Sequence, residues 1–271
     1  MKKMSMVLVL AILSTAAQAA EILATANGVI NAAATWGGKA TPGAPDANTW
    51  NTNGFNLSFT TETFFGGTLL VGGSSNLEPI PSGRTLTLQA ATFDGGRMWH
   101  SRNGTSDFSN KALTIGSGGL DSRAANSGKI INLNNGVWAG SGNINYYRGG
   151  PDGPDGPATA SLTLQSGNDM AGYTGTISAG VTGPNDAVLL TIEAATTGTF
   201  GVNIGGVSTL TVSGASNYHF SSLTLGADTI PPGIVYSFGD FTPTQQGFLS
   251  AAFTGTISVG TIPAGTVIRF R

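Results

Sequence analysis

The chain contains no cysteine among its 271 residues, which excludes a disulfide framework and any thiolate chemistry. Charged residues make up 10%, far below the ~25% of ordinary domains. Only two histidines are present, His100 and His219. Nucleic-acid partners, which need basic patches, are not expected. After residue 20 no stretch reaches the ~20 apolar residues of a membrane span, so no transmembrane segment is expected in the mature chain. No window of helical length carries an i, i+3, i+4 apolar stripe free of glycine, and helix content is expected near nil. Neither a Gly-x-Ser-x-Gly elbow, a phosphate loop nor a zinc spacing occurs, and no cofactor is expected.

What is abundant is glycine, 41 residues, about twice its usual ~7% share, with much threonine and serine. Residues 1–20 read as a cleaved signal peptide. Lys2 and Lys3 precede the apolar run Met6 to Leu13, and Ala17-Gln18-Ala19 forms a small-residue cleavage site. Cleavage is expected after Ala19 or Ala20, and the mature chain is expected to be secreted or at the cell surface. Without Lys2 and Lys3, ten basic residues face fourteen acidic ones, a net charge of −4.

The organising unit is Ala160 to Gly180. Leu162 and Leu164 alternate with Ser161, Thr163 and Gln165, the pattern of a strand with one buried face. Ser166 to Asp169 supplies turn residues. Tyr173 to Ile177 reads as a second strand, ended by Ala179-Gly180. Similar cores recur at Thr68–Val71, Thr85–Leu88, Leu113–Ile115, Ile130–Leu133, Leu189–Ile192, Val202–Ile204, Leu210–Val212, Leu223–Leu225 and Gly255–Ser258. Glycine pairs such as Gly72-Gly73, Gly95-Gly96 and Gly118-Gly119 mark corners between them.

Strands of three to five residues at uneven spacing suit coils of ~20 to 25 residues that turn sharply and stack in parallel. A β-sandwich needs longer strands at even spacing. The expected fold is all-β: a single-domain right-handed parallel β-helix, or solenoid, following the signal peptide. Residues 21–65 form an N-terminal cap and first strands, and residues 66–271 the repeats with atypical C-terminal strands. Within the cap, Glu21 to Ile30 reads as a strand pair around an Asn27-Gly28 turn. Trp50 to Phe65 reads as two aromatic strands around Asn53-Gly54.

Three strings carry a resemblance: Ala112 to Leu120, Ser161 to Asn168 and Tyr173 to Gly180. They resemble the autotransporter-associated β-strand repeat, with its Leu-Thr-Leu strand, Ser-Gly-x-Asn turn, Tyr-x-Gly step and Ala-Gly ending. Tyr218 to Ser258 is similar to the closing segment of exported bacterial β-repeat proteins. The resemblance covers roughly residues 31 to 260. It implies a parallel β-helix passenger or surface protein with no catalytic residues to carry over. The expected pattern lacks a translocating barrel of alternating ~10-residue strands after the last repeat-like strand, which leaves both free secretion and assembly with other chains open.

The densest polar cluster lies between Phe93 and Asp107 and holds Asp94, Arg97, Trp99, His100, Arg102 and Asp107. Such groups around an indole suit a sugar acid, or proton abstraction beside a uronate carboxyl. The structural reading, a long loop with surface Arg–Asp pairs, is preferred here. Tyr146, Tyr147 and Arg148 offer a second ligand candidate by stacking on a sugar ring, although tyrosines flanking a loop usually pack on the core. Asp152 and Asp155 are weak calcium candidates, too few to close a site. Paired threonines (Thr85/Thr87, Thr174/Thr176, Thr209/Thr211, Thr254/Thr256) would order water for ice binding if they stacked in ranks. Threonine is also simply a good strand former.

The expected role is therefore an exported structural or adhesin-like protein, non-catalytic, presenting loops at the cell surface or in extracellular matrix. The alternative is a polysaccharide-binding module or a pectate-lyase-like carbohydrate-active enzyme, with ice binding behind both. Polysaccharide and other copies of the chain are the expected partners. The last strands, Thr256–Val259 and Thr266–Ile268, have Arg269 and Arg271 as their only blunting charges, and association with another chain is expected at that end.

Overall fold

A computed structural model describes residues 19–39, 47–58, 67–73, 75–78, 90–100, 104–124, 130–148, 160–180, 187–193, 200–212, 217–249 and 253–261. Residues 1–18 of the signal peptide, the Thr85–Leu88 core, Arg102, Asp152, Asp155 and the Thr266–Ile268 strand lie outside them.

The described residues form two ten-stranded sheets and a smaller three-stranded one. Over most of the chain, successive strands alternate between the two large sheets. Each lies parallel to the strand that came one circuit earlier. The first sheet runs from Glu21–Leu23 through Thr49–Asn51, Thr68–Gly72 and Ala90–Asp94 to Thr209–Val212, and the second from Gly28–Val29 to Asp228–Thr229.

Register explains the alternation in the sequence. In the first sheet Ile22, Trp50, Leu69, Ala91, Leu113 and Trp138 stack as one inward column. Leu133, Leu164, Ile192 and Val212 form another. In the second sheet Leu120, Ile144, Ile177, Val202 and Leu223 do the same. These side chains are all buried in one continuous core. Because side-chain period in a strand is two, a one-residue slip would expose the whole set, so burial locks each circuit onto the last.

Corners carry the glycines. Gly119 sits at φ 76°, and a Cβ there would run into the backbone oxygen of Asn143. Aromatic rings pack at the N-terminal end and in the middle: Trp36 meets Trp50 edge-on at 5.0 Å, and Phe108 meets Trp138 at 5.7 Å.

Several expectations are corrected. Glu21–Leu23 and Gly28–Val29 form no hairpin; they pair in parallel with Thr49–Asn51 and Leu57–Ser58 in different sheets. Asn53 and Gly54 both have positive φ, as a hairpin turn would, yet they carry the chain from one sheet to the other. Glu21–Leu23, Gly28–Val29, Thr49–Asn51 and Leu57–Ser58 thus supply rungs in register with the strands that follow. Tyr173 ends a strand, Asp169–Tyr173, and the next begins at Thr176. The stretch between Phe93 and Asp107, read as a long loop, is mostly strand: Gly96–His100 and the start of Gly104–Ile115.

The C-terminal end departs from the parallel rule. Ser222–Leu225 folds back on Asp228–Thr229, and Val235–Tyr236 runs antiparallel to Thr256–Val259. The chain makes a single helical turn at Pro243–Gln246, capped reciprocally by Thr242 and Gln245 as in a capping box. Phe248 O accepts from Leu210 N, so this segment satisfies part of the last strand of the first sheet. Thr256–Val259, expected to offer a free edge, is the middle strand of the small sheet, flanked by Asn217–Phe220 and Val235–Tyr236. No helix among the described residues is long and apolar enough to cross a membrane.

Candidate functional site

The outer face of the second sheet collects the polar chemistry. Five strand segments share a three-residue frame: Asn56-Leu57-Ser58, Asn76-Leu77-Glu78, Arg97-Met98-Trp99, Asp121-Ser122-Arg123 and Asn145-Tyr146-Tyr147. Their central residues stack inward in register and are all buried. Their neighbours Asn56, Ser58, Asn76, Glu78, Arg97, Asp121, Arg123 and Asn145 therefore fall on the opposite face. One outer row runs Asn76, Arg97, Asp121, Asn145, Ser178, Asn203.

At the N-terminal half of this face lies a cleft of about 330 Å³, lined by Asn56, Ser58, Asn76, Glu78, Arg97 and Arg123, with Gly28 and Leu57. Its polar wall is pre-ordered by the backbone. Asn27 Oδ1 accepts from Asn56 N at 2.8 Å, and Asn56 Oδ1 accepts from Asn76 N at 3.1 Å. Arg97 N donates to Ser75 O at 2.9 Å.

Asp121 gathers the cations. Arg97 Nε stands 3.8 Å and Arg123 Nη2 3.5 Å from the same oxygen, Asp121 Oδ2. Asn145 Nδ2 donates to the other oxygen at 3.3 Å. Burial holds the Arg123 guanidinium below its usual pKa, helped by the positive charge of Arg97 and opposed by Asp121. The side chains of Arg97 and Asp121 keep 34% and 31% exposure and Arg123 keeps 19%, so a ligand can reach all three. Two guanidiniums on neighbouring rungs, sharing one carboxylate, make a donor array for oxygen-rich ligands.

The predicted cluster is divided by the fold. Arg97 belongs to the cleft. Trp99 and His100 share its strand, and Trp99 pairs in register with Arg123. Asp94 ends a strand of the first sheet, where its Oδ1 accepts from Gly118 N at 2.6 Å and ties down a corner. Asp107 lies on the first sheet, paired with Asn134. Asp94, Arg97 and Asp107 therefore do not converge.

Tyr146 is removed from the ligand candidates: it is 1% exposed, and its hydroxyl donates to Ser161 O at 3.2 Å. Burial raises its phenol pKa well above the ordinary value. Tyr147 and Arg148 continue the strand, in register with Arg123 and Ala124. Among the described residues no group of three or more His, Asp or Glu could hold a metal ion.

Sequence reasoning missed Asn56, Ser58, Asn76, Glu78, Asp121 and Arg123. Their signal was a polar residue directly before each inward one, Asn56, Asn76, Arg97, Asp121 and Asn145, which becomes visible only when the segments are aligned on Leu57, Leu77, Met98, Ser122 and Tyr146. Compared with known protein families, with curated proteins and with solved structures, the chain matches none.

The threonines behave differently. On the first sheet Thr105, Asn132, Thr163, Thr191 and Thr211 stand in one register row, with Asn132 Nδ2 donating to Thr105 Oγ1 at 3.2 Å. The row beside it mixes Ser161, Leu189 and Thr209. Thr85 and Thr87 lie outside the described residues.

Proposed function

We propose that this chain is an exported, non-catalytic, adhesin-like surface or matrix protein that holds polysaccharide on the outer face of its second sheet. The observation that carries the reading is the cleft, whose lining comes from five successive rungs of one sheet. Rungs repeat every ~4.8 Å, so a linear polymer lying along the stack meets a new set of amides, hydroxyls or guanidiniums at each step. The fold we take to be a right-handed parallel β-helix, since parallel crossovers are right-handed in nearly all known cases. Export is supported by the basic start, apolar run and Ala-x-Ala site of residues 1–20. A surface role is supported by the resemblance to the autotransporter-associated β-strand repeat.

A non-catalytic role is favoured by how the carboxylates are used. Asp121 has both oxygens engaged, and Glu78 is the single carboxylate lining the cleft. Glycoside hydrolysis needs a pair flanking the bond. The experiment is a glycan array on the secreted chain, with N-terminal sequencing and an activity screen on acidic polysaccharides. Glycan binding that weakens in Asn76→Ala supports the reading. Turnover of a polysaccharide would replace it with the enzyme reading, and binding to no glycan would remove it.

The in-register threonine row of the first sheet favours a second reading, ice binding by ordered water. Its interruption by Asn132 and the neighbouring Leu189 weigh against it. Thermal hysteresis equal to buffer ends that reading.

A further inference from the structure

Along the cleft the asparagines form a ladder. Gly28, Leu57 and Leu77 pair in register on successive rungs, and the residue before each is an asparagine: Asn27, Asn56 and Asn76. Asn27 Oδ1 accepts from Asn56 N at 2.8 Å, and Asn56 Oδ1 accepts from Asn76 N at 3.1 Å. Of an amide's two ends only the oxygen accepts a backbone N–H, so these contacts fix which way each side chain faces. The Asn27 and Asn56 oxygens are committed to the stack, and these two amides address a ligand mainly as Nδ2 donors. The ladder ends at Asn76, because on the next rung Arg97 N donates to Ser75 O instead. Among the described residues nothing engages the side-chain amide of Asn76, which keeps both its oxygen and its amine.

Resting on the polysaccharide reading above, we infer that the cleft selects sugars bearing acetamido groups. A hydroxyl that accepts from Asn27 or Asn56 brings a proton of its own, which needs an acceptor that these two amides supply poorly. An acetyl carbonyl is acceptor-only and brings none. The acetamido N–H then meets the one uncommitted oxygen of the ladder, Asn76 Oδ1. Rungs lie ~4.8 Å apart, so a chain running along the stack sets successive sugars against Asn56 and Asn76, with the exposed Asn27 one rung further out. A donor covered by a sugar that offers it no acceptor costs more than an ordinary pair contributes, which is how such a wall discriminates. Arg97 and Arg123 are already drawn to Asp121, and the chain as a whole is net negative, so a polyanion gains little here.

The test is calorimetric titration of the secreted full chain with N-acetylchitohexaose, cellohexaose and oligogalacturonate. The first two share one backbone and differ only in the acetamido group that replaces a hydroxyl on each sugar. N-acetylchitohexaose is expected to bind roughly tenfold or more tighter than either of the others. Asn56→Asp is the deciding variant: a carboxylate oxygen still accepts from Asn76 N, so the stack is kept while the amine is lost. Its melting temperature is expected within about 2 °C of wild type. Its affinity for N-acetylchitohexaose falls roughly tenfold, and cellohexaose binding barely changes. Asn27→Asp repeats the test one rung away should Asn56→Asp melt early. Asn203→Asp, at the far end of the same outer row, makes the same charge change and is expected to leave binding unaltered. Equal binding of cellohexaose, tighter binding of oligogalacturonate, binding only of other arrayed glycans, or an Asn56→Asp chain that keeps the full preference each overturns this inference while leaving the polysaccharide reading in place. Binding of none of the three, nor of any arrayed glycan, overturns both.

Discussion

Trp138 Nε1 donates to Asn168 Oδ1 across 3.0 Å, thirty residues apart in sequence, inside the core. The same oxygen accepts from Gly136 N at 3.0 Å, and Asn168 Nδ2 donates to Leu133 O at 2.6 Å and Gln165 O at 2.9 Å. One buried amide thus binds one circuit to the next and fixes the indole that packs edge-on against Phe108. It is the asparagine that directly follows Ser166-Gly167 in the turn before Asp169–Tyr173.

Asn168→Ala strands an indole N–H and an amide N–H in the core, while Leu133 O and Gln165 O keep their backbone donors. The expected cost is ~2–4 kcal/mol, or about 5–15 °C in Tm for a chain of this length. Circular dichroism melts read it, and a change under about 2 °C would contradict the clamp.

Gly142→Ala is expected to prevent normal stacking. A Cβ there collides with the backbone oxygen of Gly116, on the preceding circuit. Neither backbone can yield without breaking the hydrogen bond Gly142 N donates to Ile115 O. Loss of soluble, protease-resistant protein is the expected result; wild-type yield and melting would refute it.

Tyr146 and Tyr173 are buried, and burial raises both phenol pKa values far above the ordinary ~10. The unfolded chain ionises first, so their contribution to stability is complete below about pH 10 and is lost as pH rises beyond it. Absorbance titration should show these two of the five tyrosines ionising only together with unfolding. Reversible ionisation of all five in the folded chain would contradict their placement.

Arg97→Gln should barely move the melt. Its contact with Asp121 is 3.8 Å long and one-third exposed, a geometry worth ~0–1 kcal/mol. A melting shift above about 5 °C would show that Arg97 holds the sheet together instead of facing a ligand.

Much of the architecture was legible because burial imposes a period of two. Leu162, Leu164, Leu190, Ile192, Leu210 and Val212 all point inward as their alternation predicts. The long strands Gly104–Ile115 and Ile130–Gly140 were not foreseen as units. Asn110 and Asn135 adopt φ of 60° and 53° inside them, and the pairing shifts register between Asn134 and Gly136. A strand that bends through a left-handed residue keeps its ladder but loses its alternation, so only its ends, Leu113–Ile115 and Ile130–Leu133, stood out.

The candidate site was less legible. Arg97 was singled out, but with Asp94 and Asp107, which sit on another sheet, and without Glu78, Asp121 or Arg123. Closeness in sequence was the wrong guide, because a chain that alternates between two sheets sends neighbouring segments to opposite walls.

Composition and alternation alone settled that this chain builds short strands, buries every second residue and turns at glycine, since those follow from local backbone geometry and solvent. Which polar positions meet was decided only by tertiary structure. Circuits differ in length, and the partner of Asp121 is set by how the buried column of Leu77, Met98, Ser122 and Tyr146 aligns across rungs. That alignment is a property of several strands packing at once, and no single strand encodes it.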